Sequence, residues 1–317
     1  MSFPRSVLIS GATGFIGGAL ARRLLREGAR VHCLVRKSSH GDALDRLAGA
    51  QVLALDHYSG RELSDTLSGL QMDAVYNLAS YGVRPEDRDP EIMTEGNVGV
   101  VTAMLLAAAK CSAKRFIQIG SCSEYAQARD GRLLDEDHAI APSSLYGAAK
   151  AASVIYGDAL ARQLGVKFVT LRLFGVYGIG EAAYRLIPYL MDRLDRNHSV
   201  DLTAGEQVRD MLYVDDVVDA LLLADRLEEV GAHRVYNVCS GSPLKVRAIA
   251  ETVCETMGKP RELLRFGQRP YRPDEFMWIV GDKQRFCDQT GWRPIVSLSD
   301  GVRRMANAMA GARIHHA

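Results

Sequence analysis

Tyr146 and Lys150 stand four residues apart in "YGAAK", a spacing that sets two side chains on one face of a helix. A free phenol titrates near pH 10, about three units too high for a good base at neutral pH. A nearby ammonium favours the phenolate and lowers that value. The pair therefore suits proton exchange with an oxygen. Upstream, the apolar-rich run "RFIQI" reads as a buried strand that leads into "GSCSEY" at 120–125. This puts the Ser121 hydroxyl at a strand end, where it can hydrogen-bond a carbonyl or an alcohol. No metal-ligand set is assigned.

A second constellation opens the chain. In "VLISGATGFIGGALARRL", Gly11, Gly14 and Gly17 lie between a strand and a helix. Glycines there permit a tight turn and close approach of backbone to a pyrophosphate, and the helix start offers free N–H groups and a positive dipole end. Thr13, Phe15 and Ile16 share this turn, and Leu78 ends the fourth strand with Ala79 next to it. Together they form a dinucleotide-binding set. The second strand ends in Arg36 and Lys37, not in the acidic residue that would take a ribose 2′-hydroxyl. Cationic groups suit a 2′-phosphate, so NADP(H) is expected in preference to NAD(H), with NAD(H) still possible. Asp56, after the third strand, is placed to accept from an adenine amino group. With such a cofactor, hydride passes to or from the nicotinamide while Tyr146 supplies or removes the proton. Lys150 can also hold the nicotinamide ribose.

These groups need a scaffold that brings strand ends together. Apolar runs at Val7–Ser10, Val31–Val35, Gln51–Leu55, Ala74–Leu78, Phe116–Ile119 and Phe168–Leu171 alternate with helical patterns at Ile16–Glu27, about Ile92–Lys110 and about Leu145–Leu164. That alternation predicts an α/β fold, a doubly wound parallel (Rossmann) sheet covered on both faces, with a smaller, α-rich C-terminal cap. The expected division is a dinucleotide-binding unit over 1–173, with a returning segment about 212–240, and a cap from about 174–211 and 241–317. Ligands bind such sheets beyond the carboxyl ends of the strands.

Composition excludes other classes. Net charge is +1 from 39 basic and 38 acidic residues, which gives no electrostatic case for nucleic acid or a membrane surface. No run of about eighteen apolar residues suggests a spanning helix. The start of the chain shows no secretory signal, and the six cysteines form no CxxC pair. A cytoplasmic protein with free thiols is expected.

Together, "GATGFIGG", "IGSCSEY", "YGAAK" and "QVRDMLYVDDVVDAL" resemble the extended short-chain dehydrogenase/reductases, in particular the nucleotide-sugar epimerase/dehydratase/reductase group. The resemblance runs across nearly the whole chain. It implies a nucleotide-diphosphate sugar bound in the cap and a homodimer built through a helical bundle, Ile92–Lys110 and Leu145–Leu164. It also puts Arg209 and Arg272 on an arginine clamp for the substrate diphosphate, and Asn97 on an asparagine that supports the active site. Ser121 and Ser123 fall at the substrate, and Tyr81 and Arg84, in the loop Ser80–Pro90, are placed to cover the hexose. One position departs from the family pattern. Gly175 in "LFGVYG" replaces an asparagine that contacts the sugar diphosphate, which leaves that contact to another donor or to a shifted substrate.

Three reactions share this scaffold. Dehydratases of the group carry an acidic pair beside the strand-end hydroxyl, where this chain has Cys122 and Ser123. Glu124 comes one position too late, and on an extended segment a shift of one residue reverses the side chain. A 4-epimerase and a 4-ketoreductase need only Ser, Tyr, Lys and the cofactor. The Arg36–Lys37 pair and the similarity of "IGSCSEY" to the "GSSEEY"-type segment favour reduction of the C4 ketone of a nucleotide-diphospho-4-keto-6-deoxyhexose. The 4-epimerase with tightly held NAD is the alternative, followed by a 4,6-dehydratase or a non-catalytic dinucleotide-binding protein.

Overall fold

The computed structural model describes residues 6–39, 41–84, 86–128, 131–227, 234–272 and 275–314. Residues 228–233 of the expected returning segment, Pro85 of the 80–90 loop, and Pro273 and Asp274 beside Arg272 lie outside the described residues.

Strands buried on both faces must be covered on both faces, and the sheet shows this directly. Its strands are β1 Ser6–Ser10, β2 Arg30–Arg36, β3 Gln51–Leu55, β4 Ala74–Asn77, β5 Arg115–Ser121, β6 Lys167–Leu173 and β7 Val235–Val238. All neighbours pair in parallel, in the order β7-β6-β5-β4-β1-β2-β3. Within β1, Val7 and Ile9 enter one core and Leu8 the other. Helix α1 (Phe15–Arg26) contributes Leu20 and Leu24 to the first core. Helices α2 (Val100–Lys110) and α3 (Leu145–Leu164) contribute Met104, Leu105 and Ala161 to the second, and α4 (Val214–Ala224) returns Val217 and Leu221 to the first. The doubly wound fold expected from the β-α alternation is therefore present. Strand order reverses between β1 and β4, which opens the crevice where such sheets take ligands.

Four strands extend one or two residues beyond the expected runs, the third coincides with its run, and the fourth ends one residue earlier, at Asn77. The difference matters at β5, which continues to Ser121. The helix expected at 92–110 runs from Pro90 to Lys110, but a π turn at Glu95–Gly99 interrupts it. This run is long and apolar enough to cross a membrane by composition, although no unbroken apolar stretch marks it in the sequence. Half of its most apolar window is buried inside the protein, where α2 covers the sheet.

The cap is α-rich, with helices at Leu186–Asp195, Val246–Thr256 and Leu298–Ile314. It also contains short strands, which two-residue segments cannot announce by periodicity. Val208–Arg209 lies between Leu244–Lys245 and Trp278–Ile279, and Leu264–Arg265 pairs with Val200–Asp201. A buried carboxylate, Asp210, accepts the backbone N–H groups of Ser240, Gly241 and Gly281, tying the middle of the cap to the exit from β7 and to its last third. All six cysteines are unpaired.

Phe116 of β5 and Phe168 of β6 stack with ring centroids 5.5 Å apart, and both are buried. Phe168→Ala is expected to cost about 3–5 kcal/mol through lost transfer energy and the cavity left behind, measured as a lower urea midpoint with an unchanged slope.

Candidate active site

The glycine turn links β1 to α1. A Cβ at Gly17 would come 2.2 Å from the Gly11 carbonyl oxygen, so the helix can seat against the turn only with glycine there. Gly14 caps the helix without a side-chain hydrogen bond, and the first turn holds no acidic residue. The leading N–H groups of α1 are thus left for a ligand, at the carboxyl end of β1 and beside Leu78 and Ala79. Ser10 holds this corner together by accepting the Ala79 N–H at 3.2 Å and donating to Asn77. Asn77 donates in turn to Gln118 of β5 at 2.8 Å. These features fit a dinucleotide pyrophosphate. Arg36 ends β2 as an exposed cation, whereas the neighbouring Lys37 ammonium is 2.6 Å from the Asp56 carboxylate. That pairing occupies Asp56, so the 2′-phosphate and adenine roles read separately from the sequence fall on one ion pair plus the exposed Arg36.

Ser121, Tyr146 and Lys150 come together at the end of β5. Ser121 is the last strand residue and caps a single 3₁₀ turn, Cys122–Glu124. Its Oγ accepts the Ser123 N–H at 3.1 Å, and the Glu124 carboxylate accepts the Ser121 N–H at 2.7 Å. Lys150 is buried, and its Nζ donates to the Ile119 carbonyl at 2.5 Å. The Tyr146 hydroxyl lies within reach of the Ser121 and Ser80 hydroxyls. Burial pushes this phenol up to about 12, with the two serine hydroxyls pulling against the rise. Burial also brings Lys150 down to about 8, opposed by the Glu124 charge. The expected lowering of the phenol by the ammonium is therefore not what this geometry produces. Lys150 is spent on the Ile119 carbonyl, and desolvation governs both groups.

Ser80 is a site residue that the sequence reading did not assign. Its hydroxyl donates to Asn97 Oδ1 at 3.0 Å, and Asn97 lies buried in the π turn. The Asn97 amide donates to the Met93 and Tyr81 carbonyls at 2.8 and 3.0 Å, so it fixes the post-β4 loop and supports Ser80 from behind. Position at the exit of a central strand was the available signal for Ser80. Tyr81 is held at its carbonyl and packs its Cβ against Gly96, and Arg84 is exposed on a turn closed by Asp87.

Arg209 is close enough to Cys122 for the two to affect each other's charge, while its guanidinium pairs with Glu275 and donates to the Phe276 carbonyl at 2.7 Å. Arg272 is exposed on the adjoining segment. Burial raises the Cys122 thiol to about 12, so it is no acid at neutral pH. Glu124 does turn away from the pocket, but the reason is the 3₁₀ turn and an ion pair with Arg172, not an extended strand. At Gly175, a Cβ would meet the Asp210 carbonyl oxygen at 2.3 Å. The strand Gly175–Tyr177 pairs closely with Met211–Tyr213, so a side chain at this position would require the paired chain to shift.

A doubly wound sheet with a glycine turn at its first strand and a Ser-Tyr-Lys cluster at its carboxyl edge defines a dinucleotide-dependent oxidoreductase class. Residues 7–239 match the NAD dependent epimerase/dehydratase family. The chain is 30% identical, over 98% of both chains, to a dTDP-6-deoxy-L-talose 4-dehydrogenase (NAD(P)(+)) of Kitasatospora kifunensis. It is 25% identical to a CDP-abequose synthase of Salmonella typhimurium, over 94% of this chain and 96% of that one. Among solved structures, a UDP-glucose 4-epimerase of Thermotoga maritima with UDP-glucose superposes with a TM-score of 0.88 at 26% identity, covering 97% of this chain and 99% of that one. The protein belongs to the NAD dependent epimerase/dehydratase family, the extended short-chain dehydrogenase/reductases.

Because burial brings Lys150 down to about 8 from an ordinary value of 10.5, the unfolded chain binds more protons between those values, and the lysine's contribution to stability rises with pH across that window. The parent should therefore gain stability relative to Lys150→Met between about pH 8 and pH 10, by at most about 3 kcal/mol, as read from urea unfolding at each pH.

Proposed function

We propose that the protein reduces the C4 ketone of a nucleotide-diphospho-4-keto-6-deoxyhexose, with NADPH in preference to NADH. The observation that carries this reading is the make-up of the strand-end turn. Ser121 stands beside Tyr146, while the next two positions hold a thiol raised by burial and a serine, and the carboxylate that follows, Glu124, is buried in an ion pair. Hydride and proton transfer are served, and water elimination lacks its acid. The names of the 4-dehydrogenase and abequose-synthase relatives support an enzyme of deoxysugar nucleotides.

The reduced dinucleotide supplies the hydride when bound. Tyr146, kept protonated by burial, hands its proton to the C4 oxygen as negative charge develops there. Ser121 donates to the same oxygen and fixes its direction. Ser80 holds the phenol in place with Asn97 behind it. Arg36 takes the 2′-phosphate. Arg209 takes the diphosphate once the sugar nucleotide competes with Glu275, and Arg272 is its partner in the clamp. Closely packed chain occupies the Gly175 position, so no side-chain donor replaces the family asparagine there.

The assembly is a homodimer formed by a second copy on the helices at Pro90–Lys110 and α3. Ile92, Leu106, Leu145, Ile155 and Tyr156 are exposed there, beside a groove of about 810 Å³. That is more apolar side chain than a solvated helix pair needs.

A 4-epimerase is the second reading, supported by the close superposition on the Thermotoga maritima UDP-glucose 4-epimerase. Purified protein with dTDP-, GDP- or CDP-4-keto-6-deoxyhexoses should oxidise NADPH, followed by loss of reduced-nicotinamide absorbance. Interconversion of two 4-hydroxy sugars without net oxidation would establish the epimerase instead. Tyr146→Phe should lower kcat by about 10²–10⁴-fold and leave NADPH affinity within about twofold. Arg36→Ala should weaken NADPH binding by about tenfold, the loss of one charge-assisted contact, and leave NADH binding unchanged in fluorescence titrations.

A further inference from the structure

Glu124 is fully buried, and both of its oxygens are committed. One accepts the Ser121 N–H at 2.7 Å, and the other accepts Arg172 Nε at 2.7 Å. Arg172, on β6, also donates to the Tyr125 hydroxyl at 3.1 Å and lies over the Tyr125 ring, and Tyr125 donates to Asn237 of β7 at 2.7 Å. On the α3 side, Lys150 grips the Ile119 carbonyl. Gly120 sits between the two grips, where a Cβ would come 2.7 Å from the Glu124 carboxylate and 2.9 Å from Arg172 Cγ. A glycine is required here by close approach, and the carboxylate folds back over it. Buried ion pairs are poor stabilisers, since apolar residues of similar volume usually serve as well. A fully satisfied one at the carboxyl end of a central strand, bonded to the residue that bears the site's hydroxyl, calls for a different account.

We infer that Glu124 is a positioning residue for the hydride-transfer site, its carboxylate fixing Ser121 beside Tyr146 and setting a negative charge under Lys150. The inference rests on the Ser-Tyr-Lys reading above. The reciprocal bonds Ser121 N–H to Glu124 and Ser123 N–H to Ser121 Oγ lock the serine backbone and occupy one lone pair of its hydroxyl, which leaves its proton to point at a substrate oxygen. Glu124 is also the carboxylate whose field opposes the loss of charge on buried Lys150. The groups facing Glu124 are Arg172 from β6, Ser121 from β5, Cys122 and Tyr125 from its own segment, and Tyr146 and Lys150 from α3. Beyond the turn, Arg209 and Asp210 act on Cys122 from the cap.

Glu124→Gln keeps the shape and an acceptor for the Ser121 N–H and removes the charge. The expected result has two parts. First, kcat falls about tenfold or more, as for a reacting group slightly misplaced, with the KM for the dinucleotide within about twofold. Second, the Lys150 midpoint moves below that of the parent in a ¹³C-lysine NMR titration of the dinucleotide-free protein, the signal being assigned by its absence in Lys150→Met. Should the unpaired Arg172 unfold this variant, Glu124→Gln/Arg172→Met carries the same two readouts without a lone buried charge. Glu124→Asp, shorter by one methylene, should keep the Lys150 midpoint and lose kcat. A folded charge-removed variant with the parent's Lys150 midpoint overturns the inference, and so does one with the parent's kcat. The titration needs no substrate, so it decides the inference even if the proposed reaction fails. Conversely, if Tyr146→Phe keeps full activity, the reading of the site fails, whatever Glu124 does.

Discussion

The carbonyl of Ile119 accepts the Lys150 ammonium at 2.5 Å and the Gln118 amide at 3.0 Å. β4 ends opposite Gln118, and a buried carbonyl of β5 beyond that point must find donors elsewhere. Here those donors connect three parts of the protein. Gln118 leads through Asn77 to Ser10 and the corner beside the glycine turn. Lys150 fixes the register of α3 against β5, and with it the place of Tyr146 four residues earlier. Glu124 closes the same strand end from the other side. The crevice at the strand switch point is thus lined by groups that first satisfy the backbone and only then face a ligand.

The scaffold was legible because parallel strands buried on both faces are written as unbroken apolar runs, such as Val7–Ser10 and Val31–Val35. Their order is not written in them, and it came from the structure. The glycine turn and YxxxK were legible for a related reason. Each is local, and a few residues in sequence hold its whole geometry. Ser80 was not, because its role comes from Asn97, seventeen positions on, through a π turn that no periodicity marks. The short strands of the cap escaped too, since a two-residue strand has no alternation to read.

Electrostatics were the least legible part. From spacing alone, Lys150 appeared as the ammonium that lowers a phenol. In the folded chain both groups are desolvated, and desolvation favours the neutral form of each: a tyrosine that keeps its proton and a lysine that gives its own up more easily. For reduction this suits the site, since the donor stays loaded at neutral pH. Lys37 and Asp56 make the same point at the surface, where two separately plausible ligand contacts turn out to be partners.

Asp210 gathers N–H groups from Ser240, Gly241 and Gly281 around one buried carboxylate. Three distant stretches of chain are thereby knotted at a single point, directly after Arg209. A cap held in this way is not a cassette. Recombination between relatives that joins one parent's residues 174–239 to another's remainder would separate the carboxylate from the loops shaped to it. Diversification of this architecture is therefore channelled into point changes on loops that hang free of the knot, and away from wholesale exchange of the cap.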